Sequence, residues 1–200
     1  MMQSLGRPIV LADRDGTLIH EVPYLSRLED IRLLPGVAEA LRKLNIRGIP
    51  VAVVTNQSGV ARGLFSESFI LESHARLMAL LSREGASLQG LYYCPHLNPE
   101  RLRSPPDGAS LFHIRSCFCR KPEPGLLLRA LKDLQGNPMK SVMIGDADRD
   151  ILAGNLAGCG HGYRIIRKEE EETEVSQDRQ VRSFSEAVDR FLSLLDSEIS

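Results

Sequence analysis

The sequence predicts an α/β protein built on a Rossmann-like, doubly wound parallel sheet. Short runs of aliphatic residues alternate along the chain with longer segments whose apolar residues recur every three or four positions. The first pattern is typical of strands and the second of covering helices. Each aliphatic run ends at a polar or glycine-rich turn, as expected where strands of a parallel sheet lead into helical crossovers.

The expected elements follow one another in order along the chain. Strands are predicted at Pro8 to Ala12, Ile49 to Val54, Leu88 to Tyr93, Ser141 to Gly145 and Tyr163 to Ile166. Helices are predicted at Val37 to Arg47, Ser66 to Glu84, Pro124 to Leu134, Arg149 to Ala157 and Ser183 to Leu195. The apolar residues of each helix fall on one face, which we expect to pack on the sheet.

Four chemically distinct side chains follow predicted strands directly: Asp13, Thr55, Cys94 and Asp146. In open parallel sheets ligands bind beyond the carboxyl ends of the strands. The sequence therefore predicts that these groups, far apart along the chain, meet at one edge of the sheet.

Composition favours a single domain over residues 1–200 and disfavours two classes of partner. The 25 basic and 26 acidic residues give a formal net charge of -1, which provides no broad basic surface for nucleic acid or an anionic membrane.

We find neither a signal-peptide core nor an apolar run of membrane-spanning length, and therefore expect a cytoplasmic protein. In that reducing compartment the four cysteines are expected as thiols or metal ligands. No apolar heptad demands a dimer, so a monomer is expected.

Two carboxylate clusters indicate a magnesium site. Asp13 and Asp15 follow the first strand, and Asp146, Asp148 and Asp150 follow Gly145 at the end of a later one. Carboxylates this close repel each other when ionised, and a divalent cation or a shared proton removes that cost. Oxygen ligands of this kind are those that magnesium prefers.

Two further segments offer groups suited to phosphate oxygens. Thr55, Asn56, Gln57 and Ser58 supply a hydroxyl, side-chain amides and turn N–H groups. Arg120-Lys121-Pro122 adds two cations immediately before a helix start.

In this order, Asp13-x-Asp15-Gly16-Thr17, Thr55, Lys121 and Gly145-Asp146-x-x-x-Asp150 resemble the four motifs of the haloacid dehalogenase (HAD) superfamily. The longer segments 13–17, 55–63, 93–96 and 117–122 resemble the D-glycero-D-manno-heptose-1,7-bisphosphate 7-phosphatases and their relatives, the histidinol-phosphate phosphatases. The resemblance extends from about Ile9 to Cys159. It implies a HAD-like fold and a magnesium-dependent phosphatase. The substrate would be a small phosphorylated molecule, most simply a sugar bisphosphate, and the resemblance implies a role in supplying heptose for a bacterial surface glycan.

The resemblance also implies a role for each motif residue. Asp13 would be the nucleophile and Asp15 the general acid and base. Magnesium would be held by Asp13, the backbone carbonyl of Asp15, and Asp146. Asp150 would orient the metal site or cap the next helix. Substrate contacts would come from the phosphate-binding segment, the turn after the first strand and the two cations, that is, from Glu21, Tyr24, Thr55, Asn56, Gln57, Ser58, Arg120 and Lys121.

Three thiols and one imidazole, from Cys94, His96, Cys117 and Cys119, occur as two close pairs that flank one loop. Four protein ligands of these types suit a closed, structural zinc site. We therefore expect zinc to tie together the loop at about residues 94–119, which contains little that could pack into a core. His113, inside this loop, is a spare candidate ligand but is expected to be a solvated surface residue.

The expected helices, strands and metal loop account for the chain between Asp13 and Lys121, so no separate cap domain is expected and surface loops should set specificity. Ala147 stands where some relatives carry a lysine or another polar residue that can reach substrate, which leaves the choice of substrate and anomer open. The acidic run Glu169 to Glu174 is expected to be a solvated loop. The alternatives are a histidinol-phosphate phosphatase, a nucleic-acid 3′-phosphatase or a non-catalytic zinc module.

Overall fold

The computed structural model describes residues 6–101, 104, 107–167 and 173–199. Its centre is a parallel sheet of six strands in the order β3-β2-β1-β4-β5-β6. The strands are β1 (Val10–Ala12), β2 (Val51–Asn56), β3 (Gly90–Cys94), β4 (Val142–Gly145), β5 (His161–Ile165) and β6 (Gln180–Val181). The helices are α1 (Val37–Ile46), α2 (Glu67–Arg83), α3 (Gly125–Asp133), α4 (Asp148–Leu156) and α5 (Phe184–Ile199).

Both faces of the sheet are covered, which confirms the α/β Rossmann-like fold. Successive residues of a strand point to opposite faces. Val10 and Ala12 of β1 accordingly pack in one apolar cluster with residues of α1 and α5, whereas Leu11 packs in a second cluster with residues of α3 and α4. Because helices lie on either side, the central strands are buried and almost wholly aliphatic.

The predicted elements are all present, with shifted ends and one addition. β2 extends through Thr55 and Asn56, which the sequence placed after the strand. The sixth strand, β6, was missed because a two-residue strand is too short to show a periodic pattern. Residues 169–172 of the acidic run lie outside the described residues. Within the described part of the chain, no helix has the length and apolar character needed to cross a membrane.

Candidate active site

The central strands of the sheet bring the predicted site residues together. β1 lies between β2 and β4, and Ala12 is in register with Val53 on one side and Ile144 on the other. The residues at or just beyond these strand ends therefore share one edge of the sheet. They surround a cleft of about 320 Å³. Its lining includes Asp13, Asp15, Glu21, Tyr24, Thr55, Asn56, Gln57, Ser58 and Asp146.

Lys121 is buried beneath this cleft with its charge matched by two carboxylates. Its Nζ lies 3.0 Å from Asp13 Oδ1 and 2.7 Å from Asp150 Oδ1, and it donates a hydrogen bond to the carbonyl oxygen of Val54 at 2.7 Å. Burial alone disfavours the charged ammonium, but the two carboxylates outweigh it and raise the pKa of Lys121. A lysine cation is therefore fixed against the candidate nucleophile.

The carboxylates of Asp13, Asp146 and Asp150 lie close enough to share a cation. One oxygen from each falls within 4.8 Å of the others. Burial, followed by the charges of Asp13, Asp150 and Glu21, raises the pKa of Asp146 to about 7. The donor set therefore fits the magnesium ion expected from sequence, because a divalent cation would offset this repulsion.

Gly16 allows the chain to pass beside this cluster. Its φ of 72° is disfavoured for residues with a side chain, and a Cβ atom there would lie 1.9 Å from a carboxylate oxygen of Asp146.

Besides pairing with Lys121, Asp150 caps the start of α4, because its Oδ2 accepts a hydrogen bond from the N–H of Ala147 at 3.0 Å. This agrees with the expectation that Asp150 caps the next helix.

Asp15 is held in one orientation by two neighbouring side chains. The Arg14 guanidinium donates to Asp15 Oδ2 from Nη2 at 2.9 Å and from Nε at 3.2 Å. Gln57 Nε2 donates to the same oxygen at 2.8 Å. Arg14 is itself buried and donates to Ser73 Oγ on α2 at 2.9 Å. The candidate general acid and base is therefore oriented through α2.

The segment Thr55 to Ser58, predicted to bind phosphate, is joined to Asp15 through Gln57 and to Lys121 through Asn56. Gln57 Nε2 also donates to Thr55 Oγ1 at 2.9 Å, which leaves the threonine hydroxyl proton available for an anion. Asn56 pairs with the backbone of Lys121, donating from Nδ2 to its carbonyl oxygen at 3.0 Å and accepting from its N–H at 3.1 Å. Because Thr55 and Asn56 are neighbours at the end of β2, these two bonds also fix the distance between Thr55 and Lys121.

The predicted substrate contacts differ in their relation to the cleft. Glu21, Tyr24 and Ser58 line it. Tyr24 is 54% exposed, adopts a φ of 50° and lies against the guanidinium of Arg62. Arg120 is not part of the lining, and its guanidinium donates to the carbonyl oxygen of His96 at 3.0 Å. A substrate contact from Arg120 stays a prediction.

The four predicted zinc ligands form one cluster. Cys119 Sγ lies 3.2 Å from Cys94 Sγ, 3.3 Å from Cys117 Sγ and 3.3 Å from His96 Nδ1. Tetrahedral zinc would set its ligand atoms roughly 3.5 Å apart. A hydrogen bond with Cys94 is the main cause that lowers the pKa of Cys119 to about 5, so a thiolate is available to a metal. The geometry and donors fit zinc.

His113 corrects one expectation. Its side chain is 14% exposed and held on both sides, with Nδ1 2.8 Å from Ser110 Oγ and Nε2 3.1 Å from Glu67 Oε1 on α2. The sequence offered no sign of this because Glu67 is far away along the chain. His113 therefore fastens the metal loop to α2 rather than facing solvent.

Sequence reasoning missed several side chains of the site, among them Arg14, Phe65 and Arg149. Arg14 lies between the two aspartates yet is buried, and its contact with Ser73 depends on how α2 packs. Phe65 and Arg149 also line the cleft. The only sequence signal was the position of Arg14 and Arg149 within the two acidic motifs.

Comparison with known proteins agrees with this geometry. Residues 118–161 match the HAD-hydrolase-like family model. The chain is 37% identical over 172 residues to a D-glycero-β-D-manno-heptose-1,7-bisphosphate 7-phosphatase from Photorhabdus laumondii, covering 86% of this chain and 87% of that protein. It is 41% identical over 170 residues to a D-glycero-D-manno-heptose-1,7-bisphosphate 7-phosphatase from Thermosynechococcus vestitus, covering 81% and 84%.

Among solved structures, the chain is similar to D,D-heptose 1,7-bisphosphate phosphatase from B. bronchiseptica, crystallised with magnesium and phosphate. The TM-score is 0.76 at 25% identity, with 94% of this chain and 99% of that chain covered.

Proposed function

From the premise that the chain belongs to the D-glycero-D-manno-heptose-1,7-bisphosphate 7-phosphatase family of the HAD superfamily, we propose that it hydrolyses the 7-phosphate of that sugar bisphosphate. The observation that carries the proposal is the meeting of Asp13, Thr55, Lys121 and Asp146 at one edge of the sheet. These groups supply a nucleophile, phosphate donors and a cation site.

In the first step a carboxylate oxygen of Asp13 attacks phosphorus, and the bond from phosphorus to the sugar oxygen breaks. Asp15 gives its proton to the departing oxygen, leaving the sugar as an alcohol and the phosphoryl group on Asp13. Arg14 and Gln57 hold the Asp15 carboxyl group in place for this transfer. Lys121 and Thr55 bind the phosphoryl oxygens as they move.

In the second step Asp15, now a carboxylate, takes a proton from water. The resulting hydroxide attacks the aspartyl phosphate, releasing inorganic phosphate and restoring Asp13. Asp13, the backbone carbonyl of Asp15, and Asp146 would hold magnesium. The bound ion would neutralise charge between the attacking carboxylate and the anionic phosphate.

Zinc at Cys94, His96, Cys117 and Cys119 is proposed as a structural metal. The cluster has four protein ligands and so leaves no position open for substrate. We further propose that residues 1–200 act as one cytoplasmic, monomeric domain whose specificity is set by loops, including Glu21, Tyr24, Ser58 and Arg120 as substrate contacts.

The test is a phosphate-release assay with magnesium. The panel contains D-glycero-D-manno-heptose 1,7-bisphosphate, histidinol phosphate and a 3′-phosphorylated oligonucleotide, and metal content is measured on the same protein sample. We expect heptose bisphosphate to be turned over with the highest kcat/KM, with the 1-phosphate retained in the product. Preferred turnover of histidinol phosphate or the oligonucleotide would replace the proposed substrate. The absence of phosphate release from every compound, in protein carrying both metals, would overturn the proposal of an enzyme.

A further inference from the structure

Arg149 stands apart among the charged residues of the cleft. The lining contains four carboxylates, from Asp13, Asp15, Glu21 and Asp146, but only two cations, from Arg14 and Arg149. The guanidinium of Arg14 is buried and engaged by Asp15 and Ser73. Among the described residues, the side chain of Arg149 makes no hydrogen bond or ion pair, and its charge acts on Asp146 and Asp150 only through space, so its N–H donors remain available.

The acidic neighbours of Arg149 have other partners. Asp148 binds Arg164 and Thr173, and Asp150 binds Lys121 and the N–H of Ala147. Arg149 also lies in the first turn of α4, where the helix dipole disfavours a cation. The stability of the helix therefore offers no reason for an arginine at this position.

The second phosphate of a bisphosphate needs a cation of its own. Lys121 lies beneath the cleft and is matched by two carboxylates, so it serves the phosphate at Asp13. Arg149 is exposed at the cleft wall and carries a planar fork of donors suited to phosphate.

We propose that Arg149 binds the phosphate group that is not hydrolysed and so selects bisphosphates over monophosphates. The inference rests on the proposed function and adds a specificity-determining residue to it.

The experiment compares kcat and KM for heptose 1,7-bisphosphate and heptose 7-phosphate, which share the reacting phosphate. For Arg149→Ala we expect the kcat/KM for the bisphosphate, divided by that for the 7-phosphate, to fall about 10-fold or more. The fall should come from a higher KM for the bisphosphate, because one charge-assisted hydrogen-bonding contact is lost. Arg149→Lys should give an intermediate ratio because lysine keeps the charge and loses the fork. Arg129→Ala is the control, since it removes an exposed arginine of α3 that lies outside the cleft lining.

An unchanged ratio in Arg149→Ala, or an equal fall in Arg129→Ala, would overturn the inference. If the wild type hydrolysed neither heptose compound, the proposed substrate would be wrong. The same variants would then be compared on fructose 1,6-bisphosphate and fructose 6-phosphate. With these compounds, the role of Arg149 would be supported if the wild type preferred the bisphosphate and Arg149→Ala lost that preference. Any other result would overturn it.

Discussion

The ammonium of Lys121 lies 2.7 Å from a carboxylate oxygen of Asp150, and both side chains are fully buried. Removing one partner of a buried ion pair leaves an unpaired charge, at a cost of about 3–5 kcal/mol. We therefore expect Lys121→Met to lower the free energy of unfolding by that amount and to abolish turnover. Urea denaturation and phosphate release measure the two effects.

A double variant separates stability from catalysis. Replacing both charges, as in Lys121→Met with Asp150→Leu, should recover part of the lost stability, since apolar groups of similar size can replace a buried pair. The recovery is partial because Asp13 stays unpaired and the N–H of Ala147 loses its acceptor. Activity should stay absent. A double variant as unstable as Lys121→Met would show that the unpaired charge of Asp150 was not the main cause.

Asp13→Asn should remove activity without removing the fold. Its amide cannot act as the nucleophile, and we expect kcat to fall by at least about 10³-fold, as for other catalytic nucleophiles. Phosphate release and far-UV circular dichroism are the measurements. The control is Asp133→Asn, an acidic residue of α3 outside the cleft. Turnover within about 10-fold of wild type in Asp13→Asn would rule out this nucleophile.

Gly16→Ala should weaken magnesium binding. The new Cβ would lie 1.9 Å from an Asp146 carboxylate oxygen, so that ligand would have to move. Gly48→Ala is a matched control because Gly48 also has a positive φ, of 67°, and a Cβ there would meet nothing within 4 Å. Both variants should lose stability because of the positive φ, and Gly16→Ala should lose more because of the clash with Asp146. A magnesium titration of activity should be shifted to higher concentration only in Gly16→Ala, and equal shifts would contradict the assignment.

Zinc should be present at one ion per chain and should stabilise the protein. Cys119→Ser removes the thiol that contacts the three other candidate ligands, so we expect zinc to be lost and the melting temperature to fall. Metal analysis and thermal unfolding measure this. Cys159→Ser changes a cysteine outside the cluster and should retain zinc. Full zinc content in Cys119→Ser would argue against the four-ligand site.

His74 should make stability fall in acid. Burial, with a smaller effect from Arg14, lowers the pKa of His74 to about 4 from 6.5. The unfolded chain therefore binds the proton more tightly. The stability that depends on neutral His74 is complete above pH 6.5 and is lost as the pH falls toward 4, up to about 3 kcal/mol.

His74→Leu tests this titration. Nε2 of His74 is buried and has no hydrogen-bond partner among the described residues, so leucine sacrifices no bond from that atom. We expect the variant to lose less unfolding free energy than wild type between about pH 7.5 and about pH 4.5. Equal losses would exclude His74 as a source of the acid sensitivity.

The fold could be predicted from the sequence to a large extent because strands and covering helices leave separate periodic patterns. The meeting of Asp13, Thr55 and Asp146 followed from the rule that parallel strands end at one edge. The contacts of Arg14 with Ser73 and of His113 with Glu67 could not be predicted. They join segments far apart along the chain and depend on how α2 packs, which leaves no local signal.

Cys119 and Lys121 are separated by a single residue, so at most about 7 Å of backbone links the sulfur cluster to the cation beside the nucleophile. If the cluster holds zinc as proposed, loss of the metal would release the chain immediately before Lys121, and only the contacts with Asp13, Asp150 and Asn56 would then hold the lysine in place. Zinc depletion is therefore expected to lower catalytic activity as well as thermal stability.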